Sequence, residues 1–219
     1  MAKTVRDTPR RKGRPKQSEQ TELTADRILS VATQLFIEHG YESVSTETVA
    51  AACGVTKAMV YYYFQSKANL FLAAMQTMME NVRVRTEQLL ASDISLYDRL
   101  LTIATARLRI HTPLSLEVIM RGSEKALTDT QFRAMKEAEE RLIETIASAL
   151  TRAIDRGEIA SCDVRLSARA YLAMVNVAKE SLSTREGSLE ENAKRALDLF
   201  WHGIGPPASP SPMAKDSSP

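Results

Sequence analysis

Cysteine is almost missing from this chain of 219 residues, and the two present, Cys53 and Cys162, lie far apart. They make no CxxC and no metal-ligand spacing, so they read as small buried hydrophobes rather than a disulfide or a reactive pair. Nothing in them points to an oxidising compartment. Histidine is also scarce, with His39, His111 and His202 the full set. His39 precedes Gly40 and reads as a helix C-terminal residue. No HExxH, glycine-rich phosphate loop or serine-centred elbow occurs, which leaves metallohydrolase, nucleotide-dependent and serine-hydrolase chemistry without a basis. We therefore expect no enzyme, no metal and no cofactor. No run of 18 apolar residues occurs, so no membrane-spanning helix is expected. The basic N-terminus is not followed by an apolar stretch, so no signal peptide is read, and the expected location is cytoplasmic. Strand alternation and internal repeats are lacking too.

What is present is helix periodicity. Hydrophobic residues make up 44% and charged residues 26% of the chain, enough for a proper core in a soluble protein. Ile28, Leu29, Ala32, Leu35 and Phe36 recur at three- and four-residue steps, predicting a helix capped by Thr24 and ended by Gly40. Ser45, Thr56 and Ser66 are placed to cap three further helices, the last one long and carrying Leu70, Ala74, Met78 and Val82. Beyond residue 94 the pattern stays helical, with Met135, Ala138, Leu142, Ile146, Leu150 and Ala153 as the longest stripe. The chain reads as all-α, with residues 1–20 a disordered basic arm and 21–71 a small helical domain. Residues 72–204 read as a larger helical domain, and 205–219 as a proline-rich disordered tail.

Charge is uneven. Seven bases against two acids make residues 1–20 +5, while the whole chain is +2, leaving −3 elsewhere. A basic arm on a mildly acidic body points to a polyanion at one end. Arg11, Arg14 and Lys16 flank a Gly-Arg-Pro that resembles the core of an AT-hook. Minor-groove insertion, unspecific phosphate attraction and a solubilising role all remain open for it.

The stretch "ACGVTKAMVYYYF", Ala52 to Phe64, places two short helices around a turn at Gly54, a residue that accepts positive φ. That is a helix-turn-helix pattern. The second helix of that motif enters the major groove by its N-terminal end. Thr56 would cap it and Lys57 would lie within reach of a phosphate or base edge. Ala58 and Met59 could touch a thymine methyl. Val60 and Phe64 share the inward face, whereas Tyr61 and Tyr62 fall on other faces and can donate to phosphates. A bundle core made of the same aromatics is the alternative, but four adjacent aromatics cannot all face one core.

Over about residues 24–71 the sequence resembles the TetR family of bacterial transcriptional regulators. The matching features are Gly40–Tyr41, the cap Ser45, Val49–Ala50, Cys53 to Thr56, then Tyr61, Tyr63, Phe64 and Lys67. The resemblance implies phosphate contacts by Ser45, Thr56, Lys57, Tyr61, Tyr62 and Lys67, with Ala58 and Met59 against the bases, and Thr46, next to Ser45, is a further DNA-binding candidate. Position 58 is often glycine in the family and position 59 commonly threonine or serine. Met59 has no hydrogen to donate, so the operator sequence does not follow by analogy.

The resemblance also implies a homodimer formed by the last two helices, here about 163–183 and 189–204. Ala170, Met174, Val177, Ala196, Phe200 and Trp201 are the candidate interface, with intrachain core as the alternative. An effector pocket in the larger domain is implied as well. Met75, Met79, Met120, Met135 and Met174 are candidate linings, and Arg107 and His111, four apart, could present polar groups to an effector. Plain core for the methionines, and a solvated or ion-paired role for Arg107 and His111, stand beside that reading. The leading expectation is a dimeric repressor released from a palindromic operator by a small apolar effector. The alternatives are an activator or repressor without an effector, and a helical protein-interaction module.

Overall fold

The computed structural model describes residues 17–110, 120–123, 125–180 and 188–204. Arg11, Arg14, Lys16 and His111 fall outside these residues, as does the expected tail. The described residues form α1 (Gln17–Ser43), α2 (Thr46–Cys53), α3 (Lys57–Phe64), α4 (Lys67–Leu90), α5 (Leu96–Arg109), α6 (Asp129–Asp155), α7 (Val164–Glu180) and α8 (Leu189–Ile204). No strand occurs among them, so the chain is all-α.

Local chemistry sets most helix starts. Ser45, Thr56 and Ser66 sit in extended backbone and accept the N–H three residues on, from Thr48 (3.0 Å), Met59 (3.2 Å) and Asn69 (3.0 Å). Each such cap contributes about 1 kcal/mol. Thr24 is a correction: α1 begins at Gln17 and carries Thr24 inside it. Glutamine, glutamate and leucine upstream favour helix, so the helix extends past the cap residue. It also takes in part of the segment expected to be a disordered arm. The break at Gly40 is as expected, with φ 76° and ψ 169° interrupting α1.

Two main cores form. The first joins Ile28, Ala32 and Phe36 of α1 to Val49, Ala50 and Cys53 of α2, Val60 of α3, and Leu70, Phe71, Ala74 and Met75 of α4. Phe36, Tyr41 and Phe71 meet edge-on within it, at 5.1 Å and 5.0 Å between Phe71 and the other two rings. The second core packs Leu100 and Ile103 of α5 with Ile146 and Leu150 of α6, Tyr171 of α7 and Phe200 of α8. Helix α4 serves both cores and passes residues 71–72 without a break. Met120 and Met135 reach from the larger part into the first core. Gln131 of α6 donates to Asn69 Oδ1 of α4 at 2.7 Å. The small helical head is therefore held to the body by packed side chains and by a continuous helix. Among the described residues, no helix is long and apolar enough to cross a membrane.

Candidate nucleic-acid interface

The turn between α2 and α3 is built by backbone geometry. Gly54 adopts φ 64°, ψ 35°, a left-handed conformation that costs other residues about 1 kcal/mol or more. Its N–H and that of Val55 then satisfy the carbonyls of Ala51 (3.1 Å) and Ala50 (3.0 Å). This closure sets the start of α3, capped by Thr56 and carrying the exposed Lys57 and Ala58, at the surface, and the N-terminal end of a helix favours an anion.

Phase along α3 divides its side chains as the sequence predicts. Val60 is buried, and Tyr63 and Phe64 are half-buried against the first core. Lys57, Ala58, Met59, Tyr61 and Tyr62 are exposed, and Tyr62 is 76% accessible. Tyr62 rests edge-on against Tyr63 at 5.2 Å, which limits its wandering. An eight-residue helix thus presents a cation, two small or flexible apolar groups and two phenols on its outer side.

The positions of the remaining candidates differ more from expectation. Lys57 is ion-paired with Glu47 of α2 and lies 5.5 Å from the centre of the Tyr61 ring. Hydrogen bonding from Lys57 holds the Glu47 carboxyl down at about 2. Ser45 lies at the exposed start of α2, and its hydroxyl also pairs with that of Thr48 at 2.8 Å. Thr46, expected among the DNA-binding residues, is a correction: its side chain is buried and its hydroxyl donates to Glu47 Oε2 at 3.1 Å, so it is turned away from the outer surface. Lys67 lies 4.3 Å over the Tyr41 ring and donates to the Glu42 carbonyl at 3.3 Å. Burial pushes its ammonium pKa down. The role of Glu47 carries no sequence signal, because the pair spans two helices whose arrangement only the fold supplies.

The methionines expected to line one pocket are divided between three places, with Met174 in a groove between α7 and α8. Met75, Met120 and Met135 are closely packed members of the head core. Met79 belongs to a smaller cluster with Ala138 and Leu142. Arg107 is buried.

At the expected dimer face, α7 and α8 flank an apolar groove of about 410 Å³, lined in part by Ala173, Met174, Val177, Ala196 and Leu199. Val177 is 61% and Leu199 70% exposed. Leu199 is a residue that sequence reasoning missed. Phe200 is a correction, since it is buried in its own chain, and the half-buried Trp201 also packs inward. The Phe200 ring lies 5.7 Å from that of Tyr171, and the Trp201 ring 5.4 Å from that of Tyr97. Ala170 is half-buried against the second core.

Comparison with known proteins agrees with this geometry. The family described as bacterial regulatory proteins, tetR family, matches residues 28–74, which span α2, α3 and the start of α4. The transcriptional regulator SrpR of Pseudomonas putida is 24% identical over 193 residues, covering 85% of this chain and 87% of its own. A solved structure of a TetR-family regulator from Mesorhizobium loti superposes with a TM-score of 0.70 at 26% identity, covering 85% of this chain and 98% of that one. The structure of AibR gives a TM-score of 0.61 at 21% identity over 80% and 97% of the two chains. The chain belongs to the TetR family of bacterial transcriptional regulators, DNA-binding proteins of the helix-turn-helix kind.

Proposed function

We propose that the protein is a homodimeric repressor, in which α3 of each copy reads one half of a twofold-related operator and a small effector in the body sets the affinity. The observation that carries this is the outer side of α3, where Lys57, Ala58, Met59, Tyr61 and Tyr62 are all exposed on a helix anchored by the buried Val60. Tyr61, Tyr62 and the cap residues Ser45 and Thr56 position the head on phosphates, and Ala58 and Met59 lie against base edges. Lys57 exchanges its carboxylate partner for a phosphate, and Lys67 shifts the same way from Tyr41. The basic arm at Arg11, Arg14 and Lys16 adds contacts beside the site, in the minor groove or along the backbone. The groove between α7 and α8 supplies an apolar patch that a second copy would cover.

AibR was solved with isovaleryl coenzyme A and operator DNA, which supports a body that binds a small molecule and a head that binds DNA. A regulator without an effector is the competing reading, and the close packing around Met75, Met120 and Met135 favours it. The buried Arg107 speaks against it. Genome-wide mapping of bound sites, followed by footprinting of the strongest, tests the proposal. Two protected half-sites related by a twofold axis are expected, at promoters whose transcription rises when the gene is deleted. Scattered occupancy without a shared paired motif would overturn the operator reading.

A further inference from the structure

Arg107 is a buried cation without a counter-charge. It sits in the last turn of α5, is 8% exposed, and its Nε has no hydrogen-bond partner. Other arginines of the same chain behave differently: Arg83 bonds Glu80 and Glu87, Arg109 bonds Glu190, and Arg165 bonds Glu140 and Glu144. Among the described residues no carboxylate approaches Arg107. Its charged or titratable neighbours are Tyr171 and Lys179. The Tyr171 hydroxyl is committed to the Leu100 carbonyl at 2.7 Å. Lys179 is a second cation, bonded to the Ile110 carbonyl, and burial together with the Arg107 charge lowers its pKa. The C-terminal dipole of α5 favours a cation at this place but gives Nε no acceptor.

A buried guanidinium in this condition is costly, and a buried polar group left unpaired calls for a partner that completes it. A second orphan lies on α7. Asn176 Oδ1 is buried and has no partner. Helical spacing puts Asn176 on one stripe with Leu172 and Lys179. Leu172 packs on the small cluster of Met79, Ala138 and Leu142. This stripe of α7 thus joins the apolar Leu172, beside Met79 and Leu142, to the polar Asn176 and Lys179, and Lys179 lies near enough to Arg107 to feel its charge.

We propose that Arg107 anchors the carboxylate of an amphipathic small molecule whose apolar part lies along Met79, Leu142 and Leu172. The planar fork of Nε–H and one Nη–H matches a carboxylate in bidentate fashion, which an ammonium could not reproduce. Asn176 Oδ1 accepts from a hydroxyl or N–H of the same molecule. This deepens, and rests on, the reading of the protein as effector-controlled.

The test is thermal unfolding of the full chain with butyrate, octanoate, dodecanoate and benzoate, against octanol and octylamine as matched controls, for wild type, Arg107→Met and Arg107→Lys. A carboxylate that fits raises Tm by roughly 3–6 °C at tenfold excess over its Kd, and the controls do not. Arg107→Met without ligand is at least as stable as wild type and loses the shift, while Arg107→Lys keeps a reduced one. Three outcomes would overturn the assignment. One is a wild type indifferent to all four acids, as when buried water alone serves Arg107. Another is an equal shift in Arg107→Met. The third is an Arg107→Met protein less stable than wild type, which would mean that the guanidinium already has partners of its own. Release of DNA is read separately by mobility shift. A carboxylate-selective Tm shift with DNA binding unchanged leaves the anion site standing and removes the effector reading. Release of DNA by other compounds, with no carboxylate shift, overturns the anion site alone.

Discussion

Lys57 does not wait on the surface as a free cation. Glu47 holds it beside the start of α3, and that pairing shifts the Glu47 carboxyl from its ordinary 4.5 to about 2. The folded value is the lower one, so whatever the pair adds to stability is complete above 4.5 and is lost as pH falls toward about 2. Carboxyl titration followed by NMR should therefore place the Glu47 midpoint near 2 and show no change between about pH 5 and 8. Replacing Glu47 by Gln removes a negative charge beside the phosphate track and frees Lys57. Affinity for non-specific DNA should rise by roughly twofold to tenfold with Tm little changed, read by fluorescence anisotropy at low salt. Met59 calls for a different expectation. Its contact is apolar, so Met59→Ala should shift preference at one base position by about 1 kcal/mol, measured by competition between operator variants, and leave the salt dependence intact. At this scale the sequence disclosed which side chains leave the core, because phase along a short helix needs only local geometry. It did not disclose that Thr46 turns inward or that Lys67 lies on Tyr41. Those facts depend on which neighbour the fold brings alongside.

Among the elements, the turn before α3 carries the most consequence per residue. Gly54 holds φ 64°, and an alanine there is strained whatever the space around it. Gly54→Ala should cost about 1 kcal/mol and lower Tm by roughly 2–4 °C. Because that strain falls between the two helices that form the reading head, DNA affinity should fall further than the stability loss alone accounts for. Thermal unfolding beside anisotropy separates the two effects. Caps and turns were legible in the sequence because Ser45, Thr56, Ser66 and Gly54 act on backbone groups within four residues of themselves. The start of α1 was not, since helix-favouring residues upstream of Thr24 compete with its cap. Neither was the placement of the methionines. Met75 and Met135 show helical periodicity whether they line a cavity or fill a core, and packing between elements decides which.

For the whole molecule, the same ambiguity governs the last two helices. Phe200 and Trp201 lie on an apolar stripe of α8, yet their rings pack on Tyr171 and Tyr97 within the chain, while Val177 and Leu199 remain outside. A stripe wider than one contact always leaves open which edge faces the chain's own core. Two substitutions tell the edges apart. Phe200→Ala should destabilise the folded chain by about 3–5 kcal/mol, seen in denaturant unfolding. Leu199→Glu with Val177→Glu should leave helix content and the protomer's fold unchanged while converting a dimer to a monomer in light scattering. A double variant that remains dimeric would move the interface elsewhere. In the dimer proposed above, dimerisation and DNA binding are coupled through geometry, because two copies of α3 would engage one duplex only when the body fixes their separation. The most direct test of reading by α3 is therefore an anisotropy titration of a genomically occupied fragment with wild type, Lys57→Ala and Tyr62→Phe at several salt concentrations. We expect both variants to bind roughly tenfold or more weakly, and the slope of log K against log salt to fall by about 2 for Lys57→Ala, one phosphate contact per protomer. Wild-type affinity and slope in both variants, with their folds intact, would contradict it.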